Sequence, residues 1–388
     1  MLRYANEACA ATACVRRVAS HRTLPRDART SVNLSKPHPF LCELLNMTTL
    51  VRAAVLTKYF GVAQQVGLNP QPLLRRLGLT QSMLENPEQL IAADTAVTLL
   101  EESARESGCG TFGLLMAEAR QMSDFGPVSL LLNHQPTLRE ALQTTVHYRH
   151  LLNEALALFI EEVGKTVIVR EEVVTDKAIP VRQATDLALG ALFRLCSGLL
   201  GRNWHPLSVN FTYQAEGDPQ VYRRLFGCKL DFGSEFNGFI FAAVDLDKPN
   251  PLADPLMARH AERYIESLPG VSEHSLVLDV RKAIYILLPM GRATIEQVAQ
   301  AQSINLRTLQ RRLEDEQVTF SELINDVRRD LVLRYMGNPR YSLGRIAELL
   351  GYSVPSSFTR WFAAQFGMPP AAWRQQWRKK GDGAETRE

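Results

Sequence analysis

The chain has 388 residues, 46% hydrophobic and 22% charged, which leaves room for two domains and excludes fibrous and disordered compositions. No apolar run reaches the roughly 18 residues that a bilayer helix needs, so no membrane partner is expected. The net charge of +3 hides a split: residues 281–380 carry 16 Lys plus Arg against 8 Asp plus Glu, and residues 1–280 carry 27 against 30. A basic block joined to a near-neutral one points to a polyanion that meets only the C-terminal part.

Six cysteines stand at 9, 14, 42, 109, 196 and 228. None forms a C-x-x-C pair, which argues against a disulfide framework and suits a reducing cytoplasm. In residues 1–46, Arg3, Arg16, Arg17, Arg22, Arg26, Arg29 and Lys36 face only Glu7, Asp27 and Glu43. Apolar periodicity is absent there, so the segment reads as a disordered extension or a mis-assigned start, with Met47 opening the folded protein.

From residue 48 to about 270, helical and strand periods alternate. Helices are predicted over 49–66, 71–77, 91–107, 111–119, 137–151, 180–201 and 254–267. Strands are predicted over 158–163, 166–174, 207–213 and 238–244, the first two joined by a hairpin turn at 161–165. That order gives an α+β domain over 47–267 with a small, mostly antiparallel sheet. It contains no G-x-S-x-G, H-E-x-x-H, Walker or G-x-G-x-x-G motif, so no catalytic residue, metal or cofactor is expected. His147 and His150 lie one helical turn apart and read as a polar helix face rather than a metal site. His147, Tyr148 and Arg149 set polar groups beside apolar ones and are the effector-binding candidates. Trp204-His205, Phe239 and Phe241 are further pocket candidates, each weighed against an ordinary core role.

Breaker-rich residues 268–273 read as a linker, and 274–288 as the first helix of a C-terminal domain ending near 380, followed by a disordered tail over 381–388. Within this domain one pattern occurs twice. Ile295, Val298, Ala299, Leu309, Arg311 and Leu313 reappear as Leu343, Ile346, Ala347, Phe358, Arg360 and Phe362. Each copy reads as a short helix, a tight turn and a second helix, which is helix-turn-helix grammar. Helix 294–302 opens on Thr294 with Gln297 three residues on, a capping-box pattern, and Asn305 is a natural N-cap for 306–316. Ser342 caps 342–350, Gly351 supplies a left-handed turn, and helix 355–366 starts on Pro355.

Arg307, Gln310 and Arg311 belong on the exposed side of the first recognition helix, and Ser356, Ser357, Thr359 and Arg360 on that of the second. Arg binds guanine bidentately and Gln pairs with adenine, so these types suit base readout; the bland alternative is contact with phosphate or water. A stripe of Phe320, Leu323, Ile324, Val327, Leu331 and Tyr335 marks a linker helix packed against both copies. The basic end at Arg378, Lys379 and Lys380 suits backbone phosphate.

These residues carry a family resemblance. Arg307-Thr308-Leu309-Gln310-Arg311, Ile346-Ala347 with Leu350-Gly351-Tyr352, Phe358-Thr359-Arg360 with Phe362, and Phe366 to Pro370 resemble the DNA-binding domain of AraC/XylS-type transcription regulators over about 275–378. Residues 50–265 are similar, less specifically, to the ligand-binding and dimerisation domain of ornithine-utilisation-type regulators. The resemblance implies a bacterial cytoplasmic regulator on the nucleoid, binding double-stranded promoter DNA and an unknown small-molecule effector. It further implies a homodimer and, if the protein is an activator, RNA polymerase as a partner. Gln302 and Ser303 depart from the family's Leu-like residue and Gly, so the first turn is expected to be strained or rearranged. The fold expected is therefore an α+β effector and dimerisation domain followed by an all-α domain with two helix-turn-helix motifs on a linker helix. Two other readings stay open: an enzyme domain using Cys109 or Cys196 fused to a DNA-binding module, and an architectural DNA protein without sequence preference.

Overall fold

The computed structural model describes residues 48–268 and 275–382. The extension over 1–46, the linker from 269 and the tail from 383 lie outside the described residues. The first long predicted helix is replaced by three short pieces. Strand β1 (Leu50–Arg52) pairs antiparallel with β2 (Leu90–Ala92), a 3₁₀ turn covers Ala53–Leu56, and helix α1 spans Tyr59–Gln65. Lys58, at φ 78, breaks the run before α1. Helices α2 (Gln71–Arg76), α3 (Gln81–Glu85), α4 (Ala93–Ser107), α5 (Phe112–Ala119) and α6 (Val128–Leu132) follow. The predicted helix over 137–151 divides at Tyr148 into α7 (Leu138–His147) and α8 (Arg149–Leu152).

The sheet takes the order β3 (Leu156–Val163), β4 (Thr166–Val173), β7 (Gly238–Ala242), β5 (Ser208–Phe211), β6 (Lys229–Phe232). All neighbours are antiparallel except β5 and β6. Helix α9 (Arg182–Leu200) lies across the inner face and is buried along nearly its whole length. It packs closely on α5 because Gly190 has no side chain: a Cβ there would stand 2.4 Å from that of Ala117. Helix α10 (Pro219–Phe226) sits between β5 and β6, and α11 (Pro255–Glu266), capped by Asp254, closes the region. The strand β6 and helix α10 were not predicted.

The C-terminal region is all helical: α12 (Leu276–Leu287), α13 (Ile295–Ala301), α14 (Leu306–Asp315), α15 (Phe320–Gly337), α16 (Leu343–Leu349), α17 (Pro355–Phe366) and α18 (Pro370–Asp382). Two apolar clusters result. One lies between the sheet and α4, α5 and α9; the other joins α12 to α17. Alternation along β3 and β4 links them, since Ala157 and Val174 belong to the second cluster while Val167, Val169 and Val173 belong to the first.

Candidate nucleic-acid interface and effector cavity

Local chemistry builds the two turns alike. Thr294 caps α13 by accepting from the Gln297 amide, and Ser342 caps α16 by accepting from the Arg345 amide. At the other end, the Ser303 and Ile304 amides donate to Gln300 O and Ala299 O at 3.0 Å. Gly351 and Tyr352 repeat this with Glu348 O and Ala347 O at 2.9 Å. This is the Schellman closure, which needs a left-handed residue. Gly351 supplies it at φ 75, and Ser303 is forced into it at φ 54. The expected departure in the first turn is therefore real and confined to one residue. The turn geometry itself is kept.

Asn305 then caps α14 by accepting from the Thr308 amide at 2.7 Å. Leu309 and Leu313 are buried, which turns Arg307, Gln310 and Arg311 outward on one exposed face. No ion pair to a described residue holds Arg307 or Arg311. On α17, Phe358 and Phe362 are buried, Ser356, Thr359 and Arg360 are exposed, and Ser357 is half-buried. The Thr359 hydroxyl donates to Pro355 O at 3.1 Å, and Arg360 Nη2 reaches Ser357 Oγ only at 3.5 Å. Trp361 is half-buried among the rings of Tyr352, Phe358, Phe362 and Phe366. The side chains of Arg378, Lys379 and Lys380 lie outside those described.

Helix α15 bridges the copies and starts with a full capping box between Thr319 and Glu322. Its 18 residues span about 27 Å at 1.5 Å per residue. Sequence reading missed one tie: Arg328 donates from Nε to Leu350 O at 3.0 Å and lies 4.5 Å over the Tyr352 ring. The second turn is thereby bound to α15.

The helical domain rests on the outer face and edge of the sheet. Arg149 donates to Asp279 at 2.7 Å, Lys282 to Glu154 at 2.9 Å, Arg292 to Glu161 at 3.0 Å and Arg334 to Glu172 at 2.9 Å. Tyr341 donates to Ser234 O, and Arg345 to Glu235. Burial alone would raise the Asp279 carboxyl, yet Lys282 and Arg149 hold it below its ordinary value. Behind this seam, Glu171 is 1% exposed and neither carboxylate oxygen has a hydrogen-bond partner among the described residues. Burial, aided by the charge of Glu172, pushes its pKa up to about 8.

The inner face of the sheet, α4 and α9 line an apolar cavity of about 100 Å³. Its lining includes Arg120, Thr145 and Asn153 among mostly aliphatic side chains. His147, Tyr148 and Arg149 do not line it: the rings of exposed His147 and buried Tyr148 meet edge-on with centroids 4.6 Å apart, and Arg149 turns to Asp279. Trp204, Phe239 and Phe241 form a ring cluster away from the cavity lining, with Trp204 Nε1 donating to Asp245. Cys196 is fully buried, and burial pushes its thiol far above its ordinary value, the opposite of an activated nucleophile.

Duplicated capped turns, outward arginines and a cavity-bearing sheet domain define a ligand-responsive DNA-binding protein. Residues 67–250 match the family described as the arabinose-binding domain of AraC transcription regulators, N-terminal, and residues 298–376 match a helix-turn-helix domain. The HTH-type transcriptional regulator VirS of Mycobacterium tuberculosis is 30% identical over 332 residues, covering 85% of this chain and 98% of the relative. The ornithine utilization regulator of Pseudomonas aeruginosa is 24% identical over 335 residues, covering 85% and 98%. The solved transcriptional regulator CdpR from Pseudomonas aeruginosa aligns over 81% of this chain and 98% of its own, with TM-score 0.39 and 21% identity. The chain belongs to the AraC family of helix-turn-helix transcription regulators, with an effector-binding N-terminal domain. Its relatives are regulators rather than enzymes.

Proposed function

We propose that this regulator reads two successive major-groove segments on one face of promoter DNA. Arg307, Gln310 and Arg311 read the first segment; Ser356, Ser357, Thr359 and Arg360 hold the second, with Arg360 as its principal base contact. The observation that carries this is the pair of matched turns, each followed by a helix with its apolar residues buried and its cationic residues outward. A bridging helix of about 27 Å supports a separation close to one DNA turn, near 34 Å.

Residues 47–267 form the effector and dimerisation domain in this proposal, 268–273 the linker and 274–380 the DNA-reading domain. The protein has no catalytic step. It works in the cytoplasm on the nucleoid as a homodimer, with RNA polymerase as a further partner if it activates. The effector binds one arrangement of the domains better than another and so shifts their populations. The His147, Tyr148 and Arg149 corner belongs to the effector-responsive region, because Arg149 bonds Asp279 on the first helix of the DNA-reading domain.

Methylation-protection footprinting of the full chain on its own upstream region tests this. Two protected guanine clusters about 10 base pairs apart on one face are expected for each bound chain. A single cluster, or uniform weak protection, would overturn the two-segment reading.

A further inference from the structure

The cavity wall contains one group whose chemistry is unfinished. Arg120 is 6% exposed, and its Nη2 donates to the carbonyls of Ala54 and Val55. Its Nε is buried with no hydrogen-bond partner among the described residues. No carboxylate pairs with it among the described residues. Asp124, which acts on it only at longer range, has its carboxylate 3.2 Å from Lys58 and accepts from the Gln121 amide at 2.8 Å. Burial lowers the Arg120 pKa to about 10, a sign of a cation kept from water without a counter-charge. A guanidinium stays charged in such a place and is costly there until an anion joins it. Apart from Thr145, whose hydroxyl donates to Ala141 O, and Asn153, whose Oδ1 accepts from the Ala155 amide, the wall is hydrocarbon: Leu156, Leu158 and Val173 from the sheet face Leu187, Ala191 and Leu195 from α9.

We propose that this cavity binds an apolar carboxylate, its hydrocarbon body between sheet and α9 and its carboxylate accepting from Arg120. The proposal rests on the reading of the N-terminal domain as effector-responsive and names the chemical class of the effector. The anion completes the donor set of Arg120, and the mostly aliphatic wall selects an alkyl or aryl-alkyl body over a sugar or an amino acid, whose several hydroxyl and ammonium groups would find too few partners there.

Strand β3 gives the site its output. Leu156 and Leu158 line the cavity, while Ala157 and Phe159, alternate along the same strand, pack into the core of the DNA-reading domain. Glu154, two residues before Leu156, accepts from Lys282 of α12. A ligand pressing on one side of β3 therefore acts on the strand that seats the other domain.

The test uses the full chain with octanoate, decanoate and 4-phenylbutyrate, and with 1-octanol and 1-decanol as neutral partners of equal length. Thermal shift and promoter affinity are both read. Carboxylates are expected to bind at least tenfold more tightly than the alcohols and to change promoter affinity. Arg120→Met should bring the two classes level. Should that variant fail to fold, the comparison of acid with alcohol on the unchanged protein still decides. Ala188→Phe, which fills the cavity, should abolish both responses and leave binding to DNA intact. Equal or tighter binding of the alcohols, still lost in Ala188→Phe, would overturn the carboxylate assignment and leave the cavity as an effector site. Stabilisation by none of the probes would overturn the assignment. Carboxylate binding that survives Ala188→Phe would remove the cavity from the account altogether.

Discussion

Glu171 is where residue chemistry and stability meet most sharply. It continues the buried row of Val167 and Val169 on β4, in a position that suits valine. Below pH 4.5 folded and unfolded chains both hold its proton, and burial costs no charge. Between pH 4.5 and about 8 the unfolded chain releases a proton that the folded chain keeps. Stability is therefore lost as pH rises through this window, at up to about 1.4 kcal/mol per unit. Glu171→Gln removes the ionisation and keeps the shape. It should add a few kcal/mol, on the order of 2–4, at pH 8 and nothing near pH 4, read by urea unfolding at both values. An equal change at the two pH values would place the effect outside ionisation. Nothing in the sequence marks this residue, because Arg170-Glu171-Glu172 looks like a solvated run; only the pleat, which turns one of three inward, separates them.

At the scale of elements, the C-terminal helices were legible because their signals are local. Capping residues sit within three positions of what they cap, and the apolar period of each helix spans several turns. Thr294, Asn305 and Ser342 all cap as read, although Thr294 makes the N-cap bond without the reciprocal half of a capping box. The two-stranded pair at Leu50–Arg52 and Leu90–Ala92 was not legible, since three residues are too few to show a period of two. Strand β6 was hidden for the same reason; its four residues gain meaning only beside β5. The cavity and Arg120 were invisible because they join residues about seventy positions apart.

The strained turn gives an element-scale prediction. Ser303 holds a backbone region that costs an ordinary residue roughly 1 kcal/mol and glycine almost nothing. Ser303→Gly, which restores the match to Gly351, should stabilise the chain by about 1 kcal/mol in chemical denaturation and leave promoter affinity within twofold. A loss of stability would show that the Ser303 hydroxyl contributes more than the backbone strain removes.

Taken whole, the molecule is a reader seated on a sensor. The seam joins an apolar contact, in which Ala157, Phe159 and Val174 pack against the helical core, to a set of charge pairs: Arg149, Lys282, Arg292, Arg334 and Arg345 each meet a carboxylate across it. Glu172 is the best shielded carboxylate among those that the sheet domain offers. Arg334→Gln leaves it buried without a cation, and breaking such a pair costs about 3–5 kcal/mol. A drop of that size in unfolding free energy is expected. A change below 1 kcal/mol would mean that water already screens the pair and that docking does not depend on it.

In the proposed mode of binding, Arg311 and Arg360 read bases rather than merely neutralise phosphate. Affinity of the full chain, Arg311→Ala and Arg360→Ala, measured at one fixed salt on the native promoter fragment and on random DNA of equal length, separates the two roles. Each substitution should weaken promoter binding by about 1–3 kcal/mol, roughly tenfold or more, while random-sequence binding falls far less and base preference relaxes at one position. Equal losses on the two DNAs would contradict base readout and reduce both arginines to sequence-blind phosphate contacts.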